Sequence, residues 1–250
     1  DVPMMQKAIK KIKEKHQVKA KVVACHKSEL KKYEVYPDHS EFTLGATKFH
    51  FGQPMPRDLA IQLSMLKKLA SYLKIKLKTD LTALPMPPGR NSYFVGKKGL
   101  NLIDSSYNAH LISFQSILDM AKAMKTEHKW LVIGDMVEQG SIEGEEHTKL
   151  ADAIAKVKPE QVILVGRRTQ KYTAKRLEEL GIMPYSTLEP RNALKYIEQN
   201  TTGGETIFFK GSQYLEWIIE KLLLNPNDAD RLPRREKAAA KRRAKRGLDS

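Results

Sequence analysis

Lys129-Trp130-Leu131-Val132-Ile133-Gly134-Asp135-Met136-Val137-Glu138-Gln139-Gly140 is the stretch that decides the fold. Trp130 to Ile133 is a short apolar run without polar alternation, so a strand made from it must be covered on both faces, as in the interior of a parallel sheet. Leu100 to Ile103, Val162 to Val165 and Thr206 to Phe209 have the same character. Between these runs apolar residues recur at helical spacing, first at Leu111, Phe114, Leu118 and Ala121, then at Leu150, Ala153, Ile154 and Val157. A third helix is predicted from Lys171 to Leu180, stopped by Gly181; a fourth follows Pro190, and a fifth carries Leu215, Ile218, Ile219 and Leu222. Strand and helix in alternation predict an α/β fold: a Rossmann-like, mostly parallel sheet with helices on both faces, over about residues 90–224.

Upstream the pattern changes. A Lys-rich helix is predicted from Met5 to His16, a strand from Ala20 to Ala24, hairpin material from Tyr33 to Phe51 and a helix from Arg57 to Leu73. This is a smaller, partial α/β or α+β unit. Pro85, Pro87, Pro88 and Gly89 then form a stiff linker. The expected division is a partial domain over 1–84, a linker over 85–98, the main α/β domain over 99–224 and a basic tail over 225–250 that needs no core. Because the chain begins at Asp1, within what reads as a fold, further sequence is expected upstream.

With 250 residues, 41% of them hydrophobic, the chain can bury one full core and a smaller second one. Its formal charge of +15 suggests phosphate-bearing partners, but the distribution qualifies this. Residues 1–98 carry +12, residues 99–229 carry −3 and residues 230–250 carry +6. The single cysteine, Cys25, excludes an internal disulfide and, with no Cys/His cluster at ligand spacing, gives no zinc signature; it is expected to pack at the end of Val22-Val23-Ala24. No apolar run of transmembrane length and no secretory segment occurs, so a cytoplasmic location is expected.

In a sheet of this kind ligands sit at the carboxyl ends of the strands, beside free backbone N–H groups. The informative residues fall there: Asp104-Ser105-Ser106-Tyr107-Asn108-Ala109 after the first run, Gly134 to Gly140 after the second, and Lys210-Gly211-Ser212-Gln213 after the last. Together they resemble the C-terminal domain of the Mur ligases, most closely the MurF type, over roughly residues 85–224. That family writes its loops D-D-S-Y-N-A-N, then G-D-M-x-E-x-G followed by a His, then K-G-S; this chain has DSSYNAH, GDMVEQG with His147 downstream, and KGSQ. Residues 1–84 are similar to part of the family's central domain, with Asp1-Val2-Pro3 similar to its N-A-D-D-P stretch.

The resemblance implies an ATP-dependent acid–amino-acid ligase of peptidoglycan precursor synthesis, which adds D-alanyl-D-alanine to a UDP-muramoyl tripeptide. ATP phosphorylates a carboxylate, and the incoming amine attacks the acyl phosphate. On this carry-over Arg90 is the catalytic residue that reaches the ATP phosphates, a task that suits a guanidinium fork. Asp104, Ser105, Tyr107 and Asn108 join it around the nucleotide. Asn108, Asp135, Glu138, His147, Lys210, Gly211 and Ser212 meet the substrates, with Lys210 and Ser212 close to a carboxylate. ATP and Mg²⁺ are held largely by a central domain incomplete in this chain.

There are departures. Ser105 stands where the family has its ribose-binding aspartate, with Asp104 a possible substitute by a shift of register, and His110 replaces the loop's closing asparagine. Arg57 to Ile75 lacks both asparagines of the family's H-N-x-x-N helix, Gln62 being the nearest equivalent. No G-x-x-x-x-G-K-[ST] occurs, so the phosphate cradle is absent from these residues, and the family's modified lysine and metal-binding glutamate are not located. Taken singly, Gly134-Asp135 also fits a tight turn, His147 a solvated first helical turn, Lys210-Gly211-Ser212 a plain strand exit, and Arg90 a linker arginine. Two functional classes therefore stand side by side. One is part of a ligase whose other half is supplied elsewhere. The other is a catalytically inactive Mur-derived module whose basic ends hold nucleic acid, anionic membrane or an acidic partner.

Overall fold

The computed structural model describes residues 3–16, 23–212 and 214–248. A small four-stranded sheet is built first, from β1 (Leu30–Val35), β2 (Ser40–Leu44), β3 (Thr47–Phe51) and the short β4 (Asp80–Leu81). The first three form an antiparallel meander, and β4 returns parallel to β3 after helix α2 (Leu59–Leu73). Alternate residues Phe42, Leu44, Phe49 and Phe51 point to one face and pack under Ala60 and Leu63 of α2. This unit is α+β. Ahead of it lies helix α1 (Pro3–His16). The strand expected over Ala20 to Ala24 falls partly outside the described residues, and from Val23 to His26 the chain has no regular structure. Val23 is 53% exposed and Cys25 is partly exposed, so no apolar packing forms there.

The main sheet has the order β5-β6-β10-β7-β8-β9, from β5 (Ser92–Val95), β6 (Asn101–Asp104), β7 (Lys129–Gly134), β8 (Gln161–Val165), β9 (Tyr185–Thr187) and β10 (Thr206–Lys210). Only β5 runs antiparallel. The uninterrupted apolar runs are explained by burial on both sides. Ile103, Leu131, Ile133, Leu164 and Phe208 face α3 (Leu111–Ala123) and α4 (Glu143–Ala155), through Phe114, Leu118, Leu150 and Ile154. The intervening Leu102, Val132, Ile163, Ile207 and Phe209 face α6 (Pro190–Asn200) and α7 (Leu215–Leu222), through Ile197, Leu215 and Ile218. The predicted 171–180 helix is a π-helical turn at Thr169–Ala174 that runs into α5 (Lys175–Glu179).

Two boundaries differ from the expectation. The segment read as a linker contains β5, whose Phe94 is buried and whose residues pair with β6, so the main sheet starts at Ser92. The segment read as a tail is packed. After a 3₁₀ turn at Pro226–Arg231 and through α8 (Lys237–Ala244), it inserts Leu232, Ala239 and Leu248, each at most 3% exposed. It needs no apolar periodicity because isolated apolar residues and arginine stems suffice for anchorage. Among the described residues no helix is long and apolar enough to cross a membrane.

Candidate functional site

Parallel strands end on the same side of a sheet, and the order β6-β10-β7 makes the three motif-bearing ends neighbours. The loop after β10 is thus flanked by the loops after β6 and β7. Their backbones interlock: Ser105 N donates to Phe209 O at 2.9 Å, and Ser212 N donates to Asp135 O at 3.1 Å. Glycine is required at the closest approach. A Cβ on Gly134 would lie 1.8 Å from the Ser212 carbonyl oxygen, and one on Gly211 would lie 2.4 Å from the Gly134 carbonyl oxygen.

In the first loop Asp104 is fully buried and accepts a bond from Ser106 N at 2.9 Å, and its second oxygen has no hydrogen-bond partner among the described residues. Burial first, and the nearby Glu216 as well, raise its carboxyl to about 6 against the pull of Ser106 and Arg234. Ser105 is 5% exposed, as little as Lys210, so both residues at the family's ribose position lie below the surface. Tyr107 is exposed and carries the Arg90 guanidinium 4.5 Å from its ring centroid. Asn108 turns its side-chain oxygen to Ala109 N at 2.7 Å. His110, in the place of the family's asparagine, caps α3 by accepting from Ser113 N at 3.2 Å.

Lys210 closes this group. Its ammonium, only 5% exposed as a residue, donates to Asn108 O at 2.5 Å and lies 5.8 Å from the Phe114 ring centroid. Burial, and then the neighbouring Arg90, bring it down to about 8 while Asp104 opposes them. Arg90, Tyr107, Asn108, Lys210, Gly211 and Ser212 therefore cluster around the ends of β6 and β10.

The second loop is arranged differently. Asp135 accepts from Arg168 N, Thr169 N and Thr169 Oγ1 at 3.1, 2.8 and 3.1 Å, tying the end of β7 to the turn after β8. His147 is buried; Nε2 accepts from Met136 N at 3.2 Å, and Nδ1 bonds Glu143 O at 2.8 Å. Both nitrogens are thereby committed to holding the loop in shape. Glu138 is exposed and adopts a left-handed φ of 62°.

Three arginines escaped the sequence reading. Arg168 pairs with Glu143 and lies 3.6 Å from Asp135, and Arg167 sits beside it. A glycine followed by paired arginines at the exit of β8 was the available signal. Arg234, from the presumed tail, donates to the carbonyls of Ser106 and Tyr107 at 3.1 Å and to Glu216 at 3.2 Å.

The family profile described as Mur ligase, glutamate ligase domain, matches residues 89–213, half of the chain. The chain belongs to the Mur ligase family. A UDP-N-acetylmuramoyl-tripeptide--D-alanyl-D-alanine ligase from Bacillus subtilis (strain 168) is 27% identical over 177 residues, covering 68% of this chain and 34% of the relative. The MurF ligase of Thermotoga maritima, solved in complex with ADP, superposes with a TM-score of 0.61 at 22% identity, covering 77% of this chain and 45% of that one. MurF from Acinetobacter baumannii gives 0.60 at 20% identity, over 77% and 44%. These structural likenesses establish the Mur ligase C-terminal fold. The chain spans about a third of the length of the curated relative it matches.

Proposed function

We propose that this Mur ligase chain is the amine-substrate-binding, site-closing part of an ATP-dependent ligase of peptidoglycan precursor synthesis, and that it takes D-alanyl-D-alanine. The observation that carries the reading is the convergence of the first and last loops around Lys210, with Arg90 and Tyr107 at the open edge. In the reaction the dipeptide nitrogen attacks the carbonyl carbon of the acyl phosphate. The carbon–oxygen bond to phosphate breaks, phosphate leaves with the electron pair, and the amine loses a proton. Lys210 holds a substrate carboxylate by a charge-assisted bond, and Asn108 and Ser212 orient what it holds. Arg90, exposed and steadied on Tyr107, is suited to neutralise phosphate oxygens presented from across the site.

Among the described residues no three His, Cys, Asp or Glu side chains cluster as a metal site. The phosphate cradle would come from sequence outside these 250 residues or from a second polypeptide. In support, α2 exposes Met65, Leu69, Tyr72 and Leu73, each more than half exposed, an apolar stripe suited to packing against that other part. The full burial of Asp104 favours the second reading, an inactive module, because its carboxylate is closed off from a ribose.

The lowered ammonium of Lys210 makes the proposal testable by pH. Only the charged form attracts a carboxylate, so affinity for D-alanyl-D-alanine should fall as pH rises through about 8. Calorimetry should show roughly tenfold weaker binding at pH 9 than at pH 7. Lys210→Arg should flatten that dependence, and the difference between the two proteins separates Lys210 from the dipeptide's own amine. Identical pH profiles for both would remove Lys210 from the site.

A further inference from the structure

The first loop is held in shape by cations from outside it. From Ser105 to Asn108 the chain forms neither helix nor strand, yet three successive carbonyls each meet a positive group. Nη2 of Arg234 donates to Ser106 O and to Tyr107 O, both at 3.1 Å, and Lys210 Nζ donates to Asn108 O at 2.5 Å. The two bonds from Arg234 fix the planar peptide units on either side of Tyr107, and with them the direction in which its side chain leaves the backbone.

Arg90 rests on that side chain, its guanidinium 4.5 Å from the ring centroid. The linker turns sharply around Arg90, because Gly89 and Asn91 on either side of it have left-handed φ values of 69° and 63°. Gly89 is wedged in place: a Cβ there would lie 2.9 Å from Tyr107 Cβ and 3.1 Å from Pro233 Cγ. Pro233 thus backs the turn that carries Arg90, and Arg234 backs the loop on which Arg90 leans. Arg234 is itself held. Its Nη1 donates to the buried Glu216 at 3.2 Å, its carbonyl accepts from Arg243 at 2.9 Å, and Leu232 and Ala239, at most 3% exposed, anchor the chain before and after it. Arg235, next in the sequence, donates to Glu220 of α7 at 2.7 Å instead.

We propose that Arg234 is a positioning residue: from a segment beyond the family-matched residues 89–213 it holds the first loop and, through Tyr107, Arg90 in their working arrangement. It acts through Tyr107 and Asn108 rather than on substrate. What the loop binds rests on the reading of the previous section, which places two demands on Lys210, the Asn108 carbonyl and a substrate carboxylate. A carboxylate outcompetes a neutral carbonyl for an ammonium. When Lys210 turns to it, Arg234 remains as the cationic hold on the loop, so Lys210 changes partner without the loop coming loose.

The test uses the full chain and follows the Arg90 Nε–Hε resonance by NMR, with affinity for D-alanyl-D-alanine measured beside it by calorimetry. The Tyr107 ring displaces that resonance, and Tyr107→Leu marks where it falls without the ring. Arg234→Lys keeps a charge beside Glu216, and hence the fold, but one ammonium cannot replace a fork that serves Glu216 and two carbonyls. In this variant the resonance should move most of the way to its Tyr107→Leu position, and dipeptide affinity should fall about tenfold. Arg235→Ala removes an ion pair of the same segment; it should leave the resonance in place and the affinity within about twofold. The assignment is overturned if Arg234→Lys leaves the Arg90 resonance unmoved, if it holds the dipeptide as tightly as the wild type does, or if Arg235→Ala has equal effects. If the wild type binds no dipeptide, the substrate reading falls, and a displaced Arg90 resonance in Arg234→Lys alone still upholds the positioning role.

Discussion

Gly134→Ala should destabilise the protein by about 3 kcal/mol, the upper end of what overpacking costs, and abolish binding to the first and last loops together. The cause is geometric. The new methyl would lie 1.8 Å from the carbonyl oxygen of Ser212 and 2.8 Å from its carbonyl carbon, both of them backbone atoms that cannot rotate away. The loops must part, and the bond from Ser212 N to Asp135 O goes with them. Urea unfolding checks the stability, and a lowered midpoint at unchanged slope is the expected form. Gly140→Ala in the same loop is the control: a Cβ there meets nothing within 4 Å, and only its φ of 57° costs energy, about 1 kcal/mol. Equal effects at the two positions would mean that the loop contact is not tight.

Arg234→Ala should cost about 3 kcal/mol at pH 7, and less in acid. Arg234 neutralises Glu216, 2% exposed, and stands near the buried Asp104, while two of its bonds tie down the first loop. Removing it leaves two buried acids facing each other. Asp104 already titrates near 6 in the folded protein, above its ordinary value of 3.8. A carboxyl raised in this way makes the folded state bind a proton that the unfolded chain has lost, so its penalty is absent below the unfolded value and grows as pH rises through the folded one. Without Arg234 the folded value rises further, and the stability gap between variant and wild type should widen from pH 4 to pH 7. Thermal denaturation across that range measures it. A gap that is constant with pH would disconnect Arg234 from Asp104.

The four long parallel strands and most of the helices can be read from the sequence because two-sided burial leaves uninterrupted apolar runs. β9 escapes that reading, being three residues without such a run, and β5 follows a Pro- and Gly-rich stretch that looks like a linker. The C-terminal segment was misread for a related reason: Leu232, Ala239 and Leu248 are too widely spaced to make a pattern, and its arginines look solvated until the pairs with Glu216 and Glu220 are seen. Within the candidate site, the loops themselves were legible as strand ends. Their adjacency was not, since only the topology places β10 between β6 and β7. Nor does sequence tell that Asp104 is buried or that His147 spends both nitrogens on its own loop.

Whether the Lys210 cluster of this Mur ligase chain holds the amine substrate is decided by calorimetric titration with D-alanyl-D-alanine. ATP–Mg²⁺ is titrated separately, and Lys210→Ala and Asn108→Ala are measured beside the wild type. Dipeptide binding should be saturable and weakened about tenfold by each substitution, with little or no binding of ATP–Mg²⁺ by the chain alone. No dipeptide binding, or binding indifferent to both substitutions, would contradict that role and leave the inactive-module reading in its place.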